Sequence, residues 1–120
     1  MNLKILIADD SKTIRKIMKL QLEEMGHKVI AEASNGSEAV EMYFKYSPDL
    51  ITMDMQMPDV NGLEAVKTIK KIDKKVKIIM ITAHGQKDLV MGSIKQGVSD
   101  YLLKPITAEK LEDSIKKIFG

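Results

Sequence analysis

Short apolar runs alternate with amphipathic stretches from one end of the chain to the other. Leu3–Ala8 is apolar but for Lys4 and reads as a buried strand. At Ser11 the period changes: Ile14, Ile17, Met18, Leu22 and Met25 share one helical face, and Gly26 stops the helix. Val29–Ala33 is the second expected strand. Ala39, Val40, Tyr43 and Phe44 mark a second helix that ends before Ser47-Pro48. Leu50–Met53 is the third strand. After an irregular stretch, Gly62 opens a helix carried by Leu63, Val66, Ile69 and Ile72. Lys77–Ile81 is the fourth strand, and Val90, Met91, Ile94 and Val98 suggest a fourth helix with Gly97 near its end. Tyr101–Leu103 is the fifth strand, and Leu111, Ile115, Ile118 and Phe119 mark the last helix.

This is a strand–helix unit repeated five times, (βα)5, in the α/β class. Strands made of continuous apolar runs, each followed by an amphipathic helix, imply a parallel, doubly wound sheet covered on both faces. Right-handed crossovers leave few topologies. In such sheets, ligands bind beyond the carboxyl ends of the strands. The residues that follow the five strands are Asp9-Asp10, Ala33-Ser34, Asp54, Thr82-Ala83 and Lys104-Pro105.

Composition narrows the picture. A chain of 120 residues predicts one domain, residues 1–120, large enough for its own core. It has no cysteine, which removes disulfides and thiolate metal sites and agrees with a reducing, cytoplasmic setting. The first apolar run is too short and too acidic for a signal peptide, and no stretch approaches the roughly 18 apolar residues of a membrane span. A net charge of +2 gives no bulk case for direct binding of nucleic acid or membrane. The nine methionines read mostly as core filler, with a few left for an adaptable docking surface.

Four of the five strand ends carry groups suited to one task. If the first and third strands are neighbours, Asp9, Asp10 and Asp54 converge and repel one another, and a hard dication would relieve that repulsion. Oxygen ligands with open positions favour Mg²⁺, and the lack of a neighbouring His or Cys speaks against zinc. Lys104 could reach the same point as a counter-charge. At an effective dielectric of about 20, an ion pair about 4 Å apart is worth about 4 kcal/mol before desolvation. Thr82 adds a hydroxyl. A nucleophilic carboxylate, a metal, a fixed cation and a hydroxyl donor together fit phosphoryl transfer. Each alone has an ordinary explanation: Asp9-Asp10-Ser11 as a helix cap, Asp54 as a turn former, Lys104 as solvated surface, Thr82 as a strand end. Their common position at one sheet edge is what joins them.

At these residues the sequence resembles the response regulator receiver family. The matching stretches are Ile7-Ala8-Asp9-Asp10-Ser11, Met53-Asp54-Met55-Gln56-Met57-Pro58, Asn61-Gly62, Ile81-Thr82-Ala83 and Tyr101-Leu102-Leu103-Lys104-Pro105, spread over the whole chain. The resemblance, rather than the residues, gives a flavodoxin-like sheet of order 2-1-3-4-5. It implies Asp54 as phosphoacceptor, Asp10 as a direct Mg²⁺ ligand with Asp9 assisting, and the backbone carbonyl of Gln56 as a further ligand. It implies Lys104 and Thr82 as partners of the phosphoryl oxygens. Pro105 would follow a cis peptide bond that sets the direction of Lys104. Tyr101 would turn inward as Thr82 moves, although it also reads as an ordinary strand tyrosine. Gln56 and His84 would flank the phosphoryl group and tune its hydrolysis, and His84 reads equally well as a solvated loop residue.

A receiver of this kind is a switch that takes its phosphoryl group from a histidine kinase and changes its affinity for a protein target. It is not an enzyme with a separate substrate, though it catalyses its own phosphoryl transfer and slow dephosphorylation. The expected output surface is the fourth helix, fifth strand and fifth helix, with Lys87, Lys95, Lys110, Lys116, Lys117 and Met91 as exposed candidates. Those lysines equally suit an ordinary solvated face. Asp10-Ser11-Lys12-Thr13-Ile14-Arg15 and Thr52-Met53-Asp54 resemble chemotaxis-type receivers, which implies a chemotaxis kinase, a flagellar-motor target and a possible phosphatase. The start at Met1 and the final helix at the chain end favour a stand-alone receiver over one excised from a larger regulator. Two other classes fit poorly. A flavin carrier needs a phosphate-cradling loop where Asp9-Asp10 stand, and an Asp-nucleophile phosphatase needs a carboxylate at position 56, which is Gln.

Overall fold

The computed structural model describes residues 2–83 and 87–120, with residues 87–90 described by backbone alone. The elements run β1 (Lys4–Ala8), α1 (Lys12–Glu24), β2 (Lys28–Ala33), α2 (Gly36–Tyr46), β3 (Leu50–Asp54), α3 (Gly62–Ile72), β4 (Lys77–Thr82), α4 (Lys87–Lys95), β5 (Asp100–Leu103) and α5 (Ala108–Phe119). All five strands are parallel, in the order β2-β1-β3-β4-β5. The flavodoxin-like fold expected from the sequence is therefore the observed one.

The strands read as continuous apolar runs because both faces are covered. Ile5, Ile7, Ile79 and Ile81 pack with Met18 and Leu22 of α1 and Leu111 and Ile115 of α5. The alternate residues Leu6, Ile51, Met53, Ile78 and Met80 pack with Ala39 and Tyr43 of α2 and Ala65, Val66 and Ile69 of α3. Among the methionines, Met18, Met53, Met55, Met57 and Met80 are buried, whereas Met91 is half exposed.

Among the described residues, four helices start on a side-chain cap: Ser11, Asn35, Asn61 and Thr107 accept hydrogen bonds from backbone N–H groups three residues on. Two ends are set by glycine. Gly26 (φ +95°) and Gly97 (φ +82°) are left-handed. In the second case the Gly97 and Val98 N–H groups donate to the carbonyls of Ile94 and Ser93. The fourth helix therefore stops at Lys95, and Val98, expected on its face, instead packs on the core from beyond the turn.

Several residues assigned to buried helical faces lie outward. Ile17, Phe44, Ile72 and Ile94 are among the exposed large hydrophobic residues. The apolar stripe of each helix is wider than the strip of sheet it covers, so residues at its margin face solvent.

Candidate functional site

The sheet order places β1 beside β3 where the direction of winding reverses, which opens a crevice at their carboxyl ends. Ala8 is in register with Met53, so the next residues, Asp9 and Asp54, lie side by side. Carboxylate oxygens of Asp9, Asp10 and Asp54 all come within 4.8 Å of one another. Thr82 ends β4, and the Lys104 N–H donates to its carbonyl at 2.8 Å, which ties the end of β5 to the same rim. The Lys104 Nζ stands 3.4 Å from Asp9 Oδ2 and 3.4 Å from Asp54 Oδ2. The Lys104–Pro105 peptide bond is cis.

Burial divides the three acids. Asp9 and Asp54 are buried, whereas Asp10 is exposed at the rim. Asp9 Oδ1 accepts from the Ser11 N–H at 2.8 Å, but its Oδ2 receives no hydrogen bond among the described residues, although Lys104 is close. Among the described residues, Asp54 Oδ1 has only a long contact, 3.4 Å, from the Gln56 N–H. Burial, and then the neighbouring Asp9, raise the Asp54 carboxyl to about 6 against the pull of Lys104. Burial also works against the charge on Lys104, but Asp54 and then Asp9 outweigh it and hold the ammonium above its ordinary value.

Among the described residues, one ammonium, paired with Asp9 and Asp54, thus stands against three carboxylates, of which two are buried, and one buried oxygen lacks a donor. These residues fit a hard divalent cation, because the ligand atoms they bring together are carboxylate oxygens whose charge is under-compensated among the described residues. The cluster opens beside Asp10 into a cavity of about 660 Å³ lined by Met55, Gln56, Pro58 and Asn61.

Thr82 is buried at the same rim. Tyr101 lies on β5 with 41% of its surface exposed, pointing outward rather than into the fold. His84 lies outside the described residues, as does the Lys87 side chain. Of the lysines expected to form an open patch, Lys110 is not a free cation: its ammonium donates to the carbonyls of Leu103 (3.0 Å) and Pro105 (2.9 Å) and clamps the loop that carries Lys104. Lys116 and Lys117 pair with Glu112 and Asp100.

Two supports escaped sequence reasoning. Arg15 donates to the Asp9 carbonyl at 2.7 Å and pairs with Glu32 at 3.0 Å, which anchors the loop bearing both acids. Its place one turn into α1 is visible in the sequence, but its target is a backbone atom and leaves no sequence signal. Gly62 sits directly against the Asp54 carbonyl.

Residues 5–116 match the response regulator receiver domain family. The chain is 44% identical to the chemotaxis protein CheY of Bacillus subtilis over 95% of each chain. It is 40% identical to the chemotaxis protein CheY of Thermotoga maritima over 98% of each. The structure superposes on the CheX–CheY–BeF3–Mg²⁺ complex of Borrelia burgdorferi with a TM-score of 0.93 and 30% identity, covering 100% of this chain and 90% of that one.

Proposed function

The chain belongs to the response regulator receiver domain family, and from that premise we propose that it is a chemotaxis-type switch phosphorylated on Asp54. One observation carries the assignment. A buried, weakly hydrogen-bonded carboxylate ends the central strand within reach of an ammonium and two further carboxylates.

Each residue then has a task. The Asp54 carboxylate attacks the phosphorus of the donor, the phosphohistidine of a sensor kinase or a small acyl phosphate, and the donor's own atom departs with the bonding electrons. Asp10, Asp54, the backbone carbonyl of Gln56 and, in a supporting place, Asp9 would hold Mg²⁺. When bound, Mg²⁺ supplies positive charge against the carboxylate and the phosphoryl oxygens. Lys104 neutralises a phosphoryl oxygen from the other side, and the Thr82 hydroxyl donates to another. Pro105 fixes the turn after Lys104, while Gln56 and His84 flank the group and set how readily water reaches it. The domain spans residues 1–120, works in the cytoplasm, and hands its signal to a protein target such as the flagellar motor switch, with a phosphatase to end it. The Borrelia burgdorferi CheY is itself found in a complex with a second protein, CheX, together with BeF3 and Mg²⁺.

The direct test is intact mass after incubation with acetyl phosphate and Mg²⁺. Wild type should gain one phosphoryl group, and no gain would overturn the reading. Asp10→Ala, which removes an exposed carboxylate, should keep the fold yet lose at least about tenfold in Mg²⁺-dependent beryllofluoride affinity, since loss of a group that merely supports a metal ligand already costs about 10–100-fold. Equal binding by wild type and Asp10→Ala would remove Asp10 from the metal site.

Phosphorylation replaces the Asp54 carboxylate charge with a group of about −1.5 to −2 and three strong acceptors. Movement of Thr82 toward them vacates space that Tyr101, now outward, can fill, which turns a local hydrogen bond into a change on the α4–β5–α5 surface. Beryllofluoride with Mg²⁺ should therefore shift the Tyr101 ring resonances toward a buried environment. Thr82→Ala should blunt that shift, and a full shift in that variant would break the proposed link.

A further inference from the structure

The opposite edge of the sheet carries the reverse charge. β1, β2 and β4 each begin with a lysine, Lys4, Lys28 and Lys77. Beside Lys77, the end of α3 and the α3–β4 loop contribute Lys70, Lys74 and Lys75, and α5 contributes Lys117. These five lysines line an open cavity of about 700 Å³, a size within the roughly 300–1,000 Å³ of small-ligand sites. It lies the length of β4 from the acidic cluster, about 16 Å at a rise of about 3.3 Å per residue.

Lys70 is a built part of this cavity. Its ammonium donates to the carbonyls of Lys74 (3.1 Å) and Val76 (3.0 Å), so its position is fixed and one of its three N–H groups remains for a ligand. Gly97 faces it: a Cβ there would lie 3.8 Å from the Lys70 Nζ, and the bare backbone leaves the ammonium uncovered. Burial, and then Lys77, lower the Lys70 pKa against a smaller opposing effect of Asp73, as befits a cation short of counter-charge. Two carboxylates beside the cluster are already engaged. Asp73 accepts from the Tyr43 hydroxyl and the Lys75 N–H, and Asp100 accepts from the Ser114 hydroxyl and pairs with Lys117. Five ammonium groups thus face two occupied carboxylates.

We propose that this cavity is a second ligand site, remote from Asp54, for a compact molecule with two or more linked phosphate groups, of the pyrophosphate or nucleoside-polyphosphate class. Linked phosphates can bridge the fixed Lys70 ammonium and the exposed ammonium groups of Lys74, Lys75 and Lys77, which a single phosphate cannot do at once. The Ser99 hydroxyl accepts from the Ile78 N–H and keeps its own proton to donate. Val76 and Ile118 give the wall an apolar portion suited to a nucleoside. A cavity of this size on a chain of net charge +2 favours a compact anion over a long polyanion, which needs an extended basic track.

The test is calorimetric titration with pyrophosphate and with ATP in chelator-treated, metal-free buffer, where the acidic cluster repels both. Amide NMR shifts locate the binding. Saturable binding is expected, with shifts at Gly97, Ser99 and Ile118, and with orthophosphate weaker by at least about tenfold. Tighter binding of ATP than of pyrophosphate would assign the nucleoside to the apolar wall; equal affinity would assign the diphosphate alone, and both support the site. The double variant Lys74→Ala/Lys75→Ala removes only exposed side chains and should weaken binding by more than about tenfold, since one ion pair in water is worth about fivefold. Unchanged affinity in that variant, or shifts scattered over all surface lysines, would overturn the proposal. So would tighter binding of an oligo-glutamate peptide or a single-stranded oligonucleotide than of pyrophosphate.

Discussion

Asp54→Asn is expected to abolish the phosphoryl mass gain and, in metal-free buffer above pH 7, to make the protein more stable than wild type. Both effects come from the same carboxylate. Burial, then the charge of Asp9, lift its pKa from 3.8 to about 6, so at neutral pH the anion costs more in the folded protein than in the unfolded chain. A shift of about 2 units corresponds to about 3 kcal/mol, and solvent entering beside Asp10 screens part of it, which leaves an expected gain of about 1–2 kcal/mol. The sign follows from proton linkage. Between about pH 6 and 3.8 the folded chain binds a proton at Asp54 that the unfolded chain does not, so this group makes wild type more stable as pH falls through that window. Urea unfolding of both proteins between pH 8 and 5, with chelator present, should show their difference shrinking toward acid. Saturating Mg²⁺ should narrow it at neutral pH, because a cation bound only by the folded state stabilises by mass action. A variant no more stable than wild type under metal-free conditions would mean that Asp54 is not strained by its neighbours.

Much of this site was legible before any coordinates. Continuous apolar strands fixed the parallel, doubly covered sheet, and the rule that ligands sit at strand ends drew attention to Asp9, Asp10, Asp54, Thr82 and Lys104. Their convergence was only conditional, since it required β1 and β3 to be neighbours, and strand order came from family resemblance. Periodicity overreached at Ile17, Phe44, Ile72 and Ile94, because an apolar stripe does not state how wide its partner surface is. Lys110 read as open surface because its partners, two backbone carbonyls, are invisible to side-chain pattern. Arg15 was hidden for the same reason. The cavity around Lys70 was hidden by distance along the chain, since α5 and the α4–β5 turn complete it.

Gly62→Ala is the substitution expected to damage the site most without touching a charged group. In a helix, alanine is normally favoured over glycine by about 1 kcal/mol. Here a Cβ would lie 2.1 Å from the Asp54 carbonyl oxygen, 2.9 Å from its carbon and 3.0 Å from the Met55 Cα. All three are backbone atoms with no rotamer to yield. The segment is held from several sides: the Gly62 N–H donates to the Met55 carbonyl, the Met55 N–H donates to Ile81, and the Ser37 hydroxyl donates to Asp59. Gly36 meets the same loop from α2, where a Cβ would lie 1.9 Å from the Val60 carbonyl oxygen. The loop must therefore shift as a body, at a cost of about 3 kcal/mol or more, which overwhelms the helical gain. Because the displaced atom is the carbonyl of Asp54 itself, the variant should also accept phosphate from acetyl phosphate more slowly at temperatures where it remains folded. Gly92→Ala is the matched control. It lies within α4, and among the described residues its Cβ would meet the end of the Leu63 side chain at 3.3 Å, which can rotate away. It should change stability by less than about 1 kcal/mol and leave phosphorylation intact. Equal effects of the two substitutions in chemical denaturation would show that helix propensity, rather than contact with the Asp54 backbone, governs position 62.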